Sequence, residues 1–218
     1  MTTLPTSPDD LLFRHAAGAL DPGFSLLVET HLEMSPAARD IHAQFEALGG
    51  MLLDELEPAQ VDPSALNRAL REIDAGDAPR GGERVAPSHP AMPEGFVLPE
   101  SLARRAIGPW RWIGPGVRSA SIRLPPASTS RAFLLEIAPG VRVPRHGHEG
   151  DETTCVLRGS FRDGEARYVE GEVAQADAGV EHDILVDSDM PCLCLIAMEG
   201  RTRPSGWFGR LYQKFRDI

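Results

Sequence analysis

The chain has 218 residues, 42% apolar and 25% charged, an ordinary balance for a protein with one sizeable core or two small ones. Its net charge of −10 is unevenly spread: residues 1–80 hold 14 Asp and Glu against five Arg, and the remainder holds 18 acidic against 17 basic residues. That acidity argues against direct nucleic-acid binding by the first third and for a basic protein partner, and no apolar run reaches the ~18 residues of a membrane span.

The N-terminus, MTTLPTSPDD, lacks the basic start and apolar stretch of a secretory signal. Ser7-Pro8, Asp21-Pro22, Ser35-Pro36 and Asp62-Pro63 then repeat one helix-start signal. The Ser or Asp side chain accepts from free N–H groups of the first turn, and Pro at the first position loses no bond. The signals predict helices over about 8–19, 22–34, 36–56 and 63–74. Leu11/Leu12/His15/Ala16, Leu26/Leu27/Thr30/His31 and Ile41/Phe45/Leu48/Leu52 recur at helical spacing, and Gly49-Gly50 is a candidate kink or early end. His15 and His42 have no ligand partner at useful spacing.

Residues 75–95 are rich in Gly, Pro and Ala and read as a linker. The boundaries are set at 1–76 for a helical domain, 77–95 for the linker and 96–218 for a β domain. Each domain is expected to keep its own core, so that a fragment of residues 1–80 folds alone. After the linker come short β runs broken by Gly and Pro: VRSASIRL, AFLLEIAPG, TTCVLRGSF, ARYVEGEVAQ, EHDILVDS and CLCLIAM. These predict a sandwich or barrel, with WFGRLYQKF packed on its outside.

Within the β half, RHGHEGDETTCVLRG sets His146 and His148 two residues apart, on one face of a strand, with Glu152 four residues on. From Gly140 through His146, His148 and Glu152 to Gly159 the spacing matches the first cupin motif at every fixed position. Gly171, Asp177 (where the pattern has Pro), Gly179 and His182 follow the second motif in outline. His146, His148, Glu152 and His182 would give a three-nitrogen, one-oxygen site that suits Zn²⁺ first, and also Fe²⁺, Mn²⁺ or Ni²⁺. Cys192 and Cys194 point to one side of a strand, as two small buried hydrophobes or as a redox-sensitive pair; a disulfide between them would be strained. The three cysteines form no disulfide framework and fit a reducing cytoplasm.

The run from Asp9 to Gly50, followed by the linker and the cupin ligands, resembles the ChrR-type anti-sigma factors, and the resemblance covers nearly the whole chain. It implies an α + β two-domain protein, a small helical bundle joined to a cupin β-barrel (double-stranded β-helix). The implied function is binding and inhibition of an extracytoplasmic-function sigma factor, with the metal-binding cupin as the signal-responsive domain and no catalytic residues. In that family the helical domain holds zinc through an N-terminal histidine and a His-x3-Cys-x2-Cys run. Here the run reads His31…Ser35…Ala38 and MTTLPTSPDD has no histidine, so no zinc is expected there. His31 is instead expected on a helix flank or at a helix contact. Leu12, Phe24, Leu26 and Leu27 are the expected apolar contacts to the sigma factor, with Glu29 and Glu33 steering it. The alternative is a metal-dependent cupin enzyme, a dioxygenase or isomerase, with a helical appendage.

Overall fold

A computed structural model describes residues 8–76, 87–200 and 202–204, the last three by backbone alone. Ser7, most of the linker and WFGRLYQKF therefore lie outside the described residues. The first three helices, α1 (Pro8–Ala16), α2 (Pro22–Met34) and α3 (Pro36–Asp54), all open on the expected prolines. Asp21 caps α2 by accepting from Gly23 N, and Ser35 caps α3 by accepting from Ala38 N at 3.2 Å. Gly49-Gly50 does not end α3, which runs on to Asp54; two glycines cost a helix only about 2 kcal/mol. The fourth helix, α4 (Ala65–Gly76), begins two residues later than expected, because Asp62 Oδ1 first accepts from Ser64 N at 2.8 Å in a local turn. A short α5 (Glu100–Ala103) leads into the strands. Among the described residues no helix is long and apolar enough to cross a membrane.

Eleven strands are described: β1 (Arg111–Gly114), β2 (Val117–Ile122), β3 (Arg131–Ile137), β4 (Arg142–His148), β5 (Glu152–Arg158), β6 (Ser160–Asp163), β7 (Ala166–Val169), β8 (Val173–Ala176), β9 (His182–Val186), β10 (Cys192–Met198) and β11 (Thr202–Pro204). They form two antiparallel sheets, β1-β2-β3-β10-β5-β8 and β11-β4-β9-β6-β7. The expected cupin architecture is present as two facing sheets; among the described residues their hydrogen bonding does not run round into a closed ring.

Strand alternation sorts the core into two layers. Ile137, Val156, Phe161, Val186, Cys192, Cys194 and Ile196 form one cluster, drawn from both sheets and lying between them. Cys155, Leu157, Leu193, Leu195 and Ala197 alternate with these on β5 and β10 and face the other way, onto the helices. There they join Leu11, Leu12, Phe24, Leu26, Leu27, Val28 and Leu102 in a single cluster. The expectation of separate cores fails here. The physical reason is α2, whose Leu26, Leu27, Val28 and Thr30 are all at most 1% exposed. A helix that is apolar on most sides needs more cover than its two neighbours give, and the six-stranded sheet supplies it.

Polar latches fix the same helix at both ends. At its start Asp21 accepts from Thr129 N at 2.8 Å and from the hydroxyls of Ser128, Thr129 and Ser130. Those bonds hold its carboxyl well below the usual range, against the opposing pull of desolvation. Gly23 permits the approach, since a Cβ there would lie 2.2 Å from Ser130 Oγ. Towards its end Thr30 Oγ1 meets Ser101 Oγ at 2.9 Å, and the Glu33 carboxylate accepts from Glu100 N and Ser101 N at the start of α5.

Candidate metal centre

His146 and His148 close β4, Glu152 opens β5 and His182 opens β9. Four residues from three strands and both sheets thus converge, with one candidate ligand atom from each lying within 4.8 Å of all the others. The cluster is unlike the rest of the cupin interior in being polar. His148 is 1% and Glu152 7% exposed. Partners outside the cluster orient two rings: His146 Nδ1 donates to Pro144 O at 3.0 Å, and His182 Nδ1 donates to Asp163 Oδ2 at 2.8 Å. Each ring then turns its Nε2 away from that partner, which is how an outer carboxylate or carbonyl fixes the tautomer of a metal-binding histidine.

The electrostatics favour neutral, lone-pair-bearing imidazoles. Burial, and then the facing rings, lower His146 below its ordinary value and bring His148 down to about 4. Burial, seconded by Asp163, raises Glu152 to about 7, against the pull of Arg131. His148 Nε2 and His182 Nε2 stand 2.9 Å apart. Glu152 Oε2 comes within 3.3 Å of His148 Nδ1 but lacks hydrogen-bond geometry, so among the described residues that buried nitrogen has no hydrogen-bond partner. An orphaned buried nitrogen beside a carboxylate and two further imidazoles is a poor apolar core and a good cation site. The residues present could hold a metal ion.

Asp163 was not legible from the sequence, because no spacing rule ties the end of β6 to a histidine 19 residues on. Asp177, which departs from the cupin pattern, makes the turn that Pro would make by accepting from Gly179 N at 2.7 Å. Cys192 and Cys194 are buried in the inner cluster, hydrogen-bonded with Sγ atoms 3.6 Å apart and with no disulfide between them. The hydrogen bond with Cys192, followed by burial, pushes the Cys194 thiol well up. Burial alone pushes Cys155 up to about 12.

The helical residues are placed differently from expectation. Phe24, Leu12, Leu26 and Leu27 are 6% exposed or less in the shared core, so they do not face a partner. Glu33 is occupied at α5. His31 Nδ1 donates to Gly171 O, 2.9 Å away in the turn before β8. Ser35 is spent as a cap and Ala38 is buried. His15 and His42, 27 residues apart, meet across α1 and α3 with Nδ1 2.9 Å from Nε2, a pairing that local spacing could not reveal.

The ChrR Cupin-like domain family model matches residues 100–200. The anti-sigma-E factor ChrR of Cereibacter sphaeroides is 35% identical over 209 residues, covering 95% of each chain. This chain belongs to the ChrR family. In the crystal structure of Rhodobacter sphaeroides SigE in complex with the anti-sigma ChrR, a chain 33% identical to this one superposes with a TM-score of 0.67. The match covers 91% of this chain and 100% of that one, so both helical and cupin parts of the ChrR fold are represented.

Proposed function

We propose that this chain is an anti-sigma factor acting in the cytoplasm. Its helical part binds an extracytoplasmic-function sigma factor, and its cupin is a metal-dependent sensor domain. The observation that carries this reading is a set of large apolar side chains on α3 and on α4 that, among the described residues, stay exposed. Leu48, Met51 and Leu52 on the second half of α3 are 44–64% exposed, and Leu66, Leu70 and Ile73 on α4 are 49–68% exposed. Residues 66, 70 and 73 share one face of α4. Exposed stripes of this size mark an interaction surface, and the relative in the SigE complex gives the partner's class. The acidic first third would speed encounter with a basic partner while the stripe holds it.

His146, His148, Glu152 and His182 would hold one divalent ion, zinc first and iron, manganese or nickel otherwise. The helical part would hold no zinc, because Ser35 and Ala38 supply no thiolate. When bound, the ion would supply a fixed positive charge among three neutral rings and give Glu152 a counter-ion. A small pocket adjoins the cluster along Glu152, Asp163, Gln175 and His182.

The test is kinetic binding of the full-length protein to a purified sigma factor encoded beside it. Leu66→Asp with Leu70→Asp should abolish micromolar binding while the unfolding temperature stays unchanged. Raised salt should slow association and leave dissociation nearly constant. Absence of micromolar binding by the folded parent chain would refute the anti-sigma reading.

A further inference from the structure

We propose that His31 is a positioning residue that couples the helices to the metal-bearing strand of the cupin. This rests on the metal-sensor reading above and deepens it by naming the route. A carbonyl oxygen only accepts, so the 2.9 Å contact between His31 Nδ1 and Gly171 O has the ring as donor. Gly171 is in turn tied to β5: its N–H donates to Val156 O at 2.8 Å, and Val156 N donates to Glu172 O at 3.0 Å. Val156 is four residues along β5 from Glu152 and on the same inward face. The path from the cluster to α2 therefore runs along one strand and across two hydrogen bonds.

The turn itself is shaped for this contact. Gly171 has φ +85°, which L side chains rarely adopt, and it sits beside Met34, the last residue of α2, where a Cβ would be in ordinary contact at 3.6–3.8 Å. A second route lies along the same strand. Cys155 and Leu157 point outward into the cluster that holds Phe24, Leu27 and Val28, while Glu152 and Val156 point inward. A change at Glu152 that shifts β5 must move the turn, the outward side chains or both. His31 is the side chain of α2 that bonds that turn directly.

Hydrogen–deuterium exchange of the full chain, with metal bound and after chelation, tests the route; elemental analysis reports occupancy. In the parent chain, metal removal should raise exchange over α2 and residues 169–173 at least tenfold. His31→Ala should show that faster exchange with metal bound, and chelation should then add little. His31→Asn places an N–H near the position of Nδ1 and should restore the parent pattern, which a merely space-filling role would not do. Unchanged α2 exchange after verified metal loss, or His31→Ala responding like the parent, overturns the proposal. If elemental analysis finds no metal, the metal reading fails by itself. His31→Ala must then still accelerate exchange in β5, and an unaffected β5 overturns the coupling.

Discussion

Cutting the chain after residue 80 should leave the helical part largely unfolded, and the expected size of the effect follows from α2. Its Phe24, Leu26, Leu27 and Val28 are all 6% exposed or less, in a cluster shared with β3, β5 and β10. Uncovering even two such side chains costs about 3–6 kcal/mol at ~1.5–3 kcal/mol each. The latches at Asp21, His31 and Glu33 also lose their partners. At ~0.5–1.5 kcal/mol each, they bring the loss to about 5–10 kcal/mol. Native domains have only ~5–15 kcal/mol in total, and a fragment this short lies at the low end. Far-ultraviolet circular dichroism of the fragment, beside the full chain, is the assay. A cooperative melt with the helix content of α1 to α3 would refute the reasoning and restore the view of two independent cores.

Elemental analysis should give one metal per chain, lost when His146 and His148 are replaced together; two tightly held ions would contradict this. Acid should destabilise the fold through His15. Burial, and then the facing His42, lower its pKa from 6.5 although Glu29 and Glu46 oppose them. The unfolded chain then binds more protons, so this contribution is full above about pH 6.5 and lost as pH falls through the folded value. Melting from neutral pH to about pH 5 should fall less steeply for His15→Gln than for the parent, and parallel curves would exclude His15 as the cause. The three buried thiols should resist a disulfide reagent until denaturant is added, since burial holds Cys155 near 12 and Cys194 is also raised. Prompt reaction of any of them in the native state would count against the packing described here.

Local rules made the helices and the cupin cluster legible. A Ser or Asp before Pro states a helix start by itself, and three of the four starts fall where the dipeptide stands. The histidine spacing on β4, with Gly at fixed distances, likewise binds residues close in sequence. What sequence could not show was pairing at long range: Asp163 with His182, His15 with His42, and His31 with Gly171. The same blindness misassigned Leu12, Phe24, Leu26 and Leu27. Helical periodicity says that such a face is buried, and says nothing about which surface buries it. The six-stranded sheet is that surface, and among the described residues the exposed apolar side chains lie further along, on α3 and α4.

The first third has no cysteine, and the shared core shows how its helices are held without one. Three short helices cannot form a sufficient core alone, and small domains in that position need a metal, disulfides or an external surface. With Ser35 and Ala38 where thiolates would be needed, the external surface remains, and this chain uses it: α2 lies on β5 and β10 and is latched at both ends. Ser35 then serves by capping α3, Ala38 by being small enough to bury, and His31 by reaching the cupin backbone. A helical part held this way draws its stability from the sheet that carries Glu152 on its other face. Any loosening of the inner face must therefore be felt by the helices.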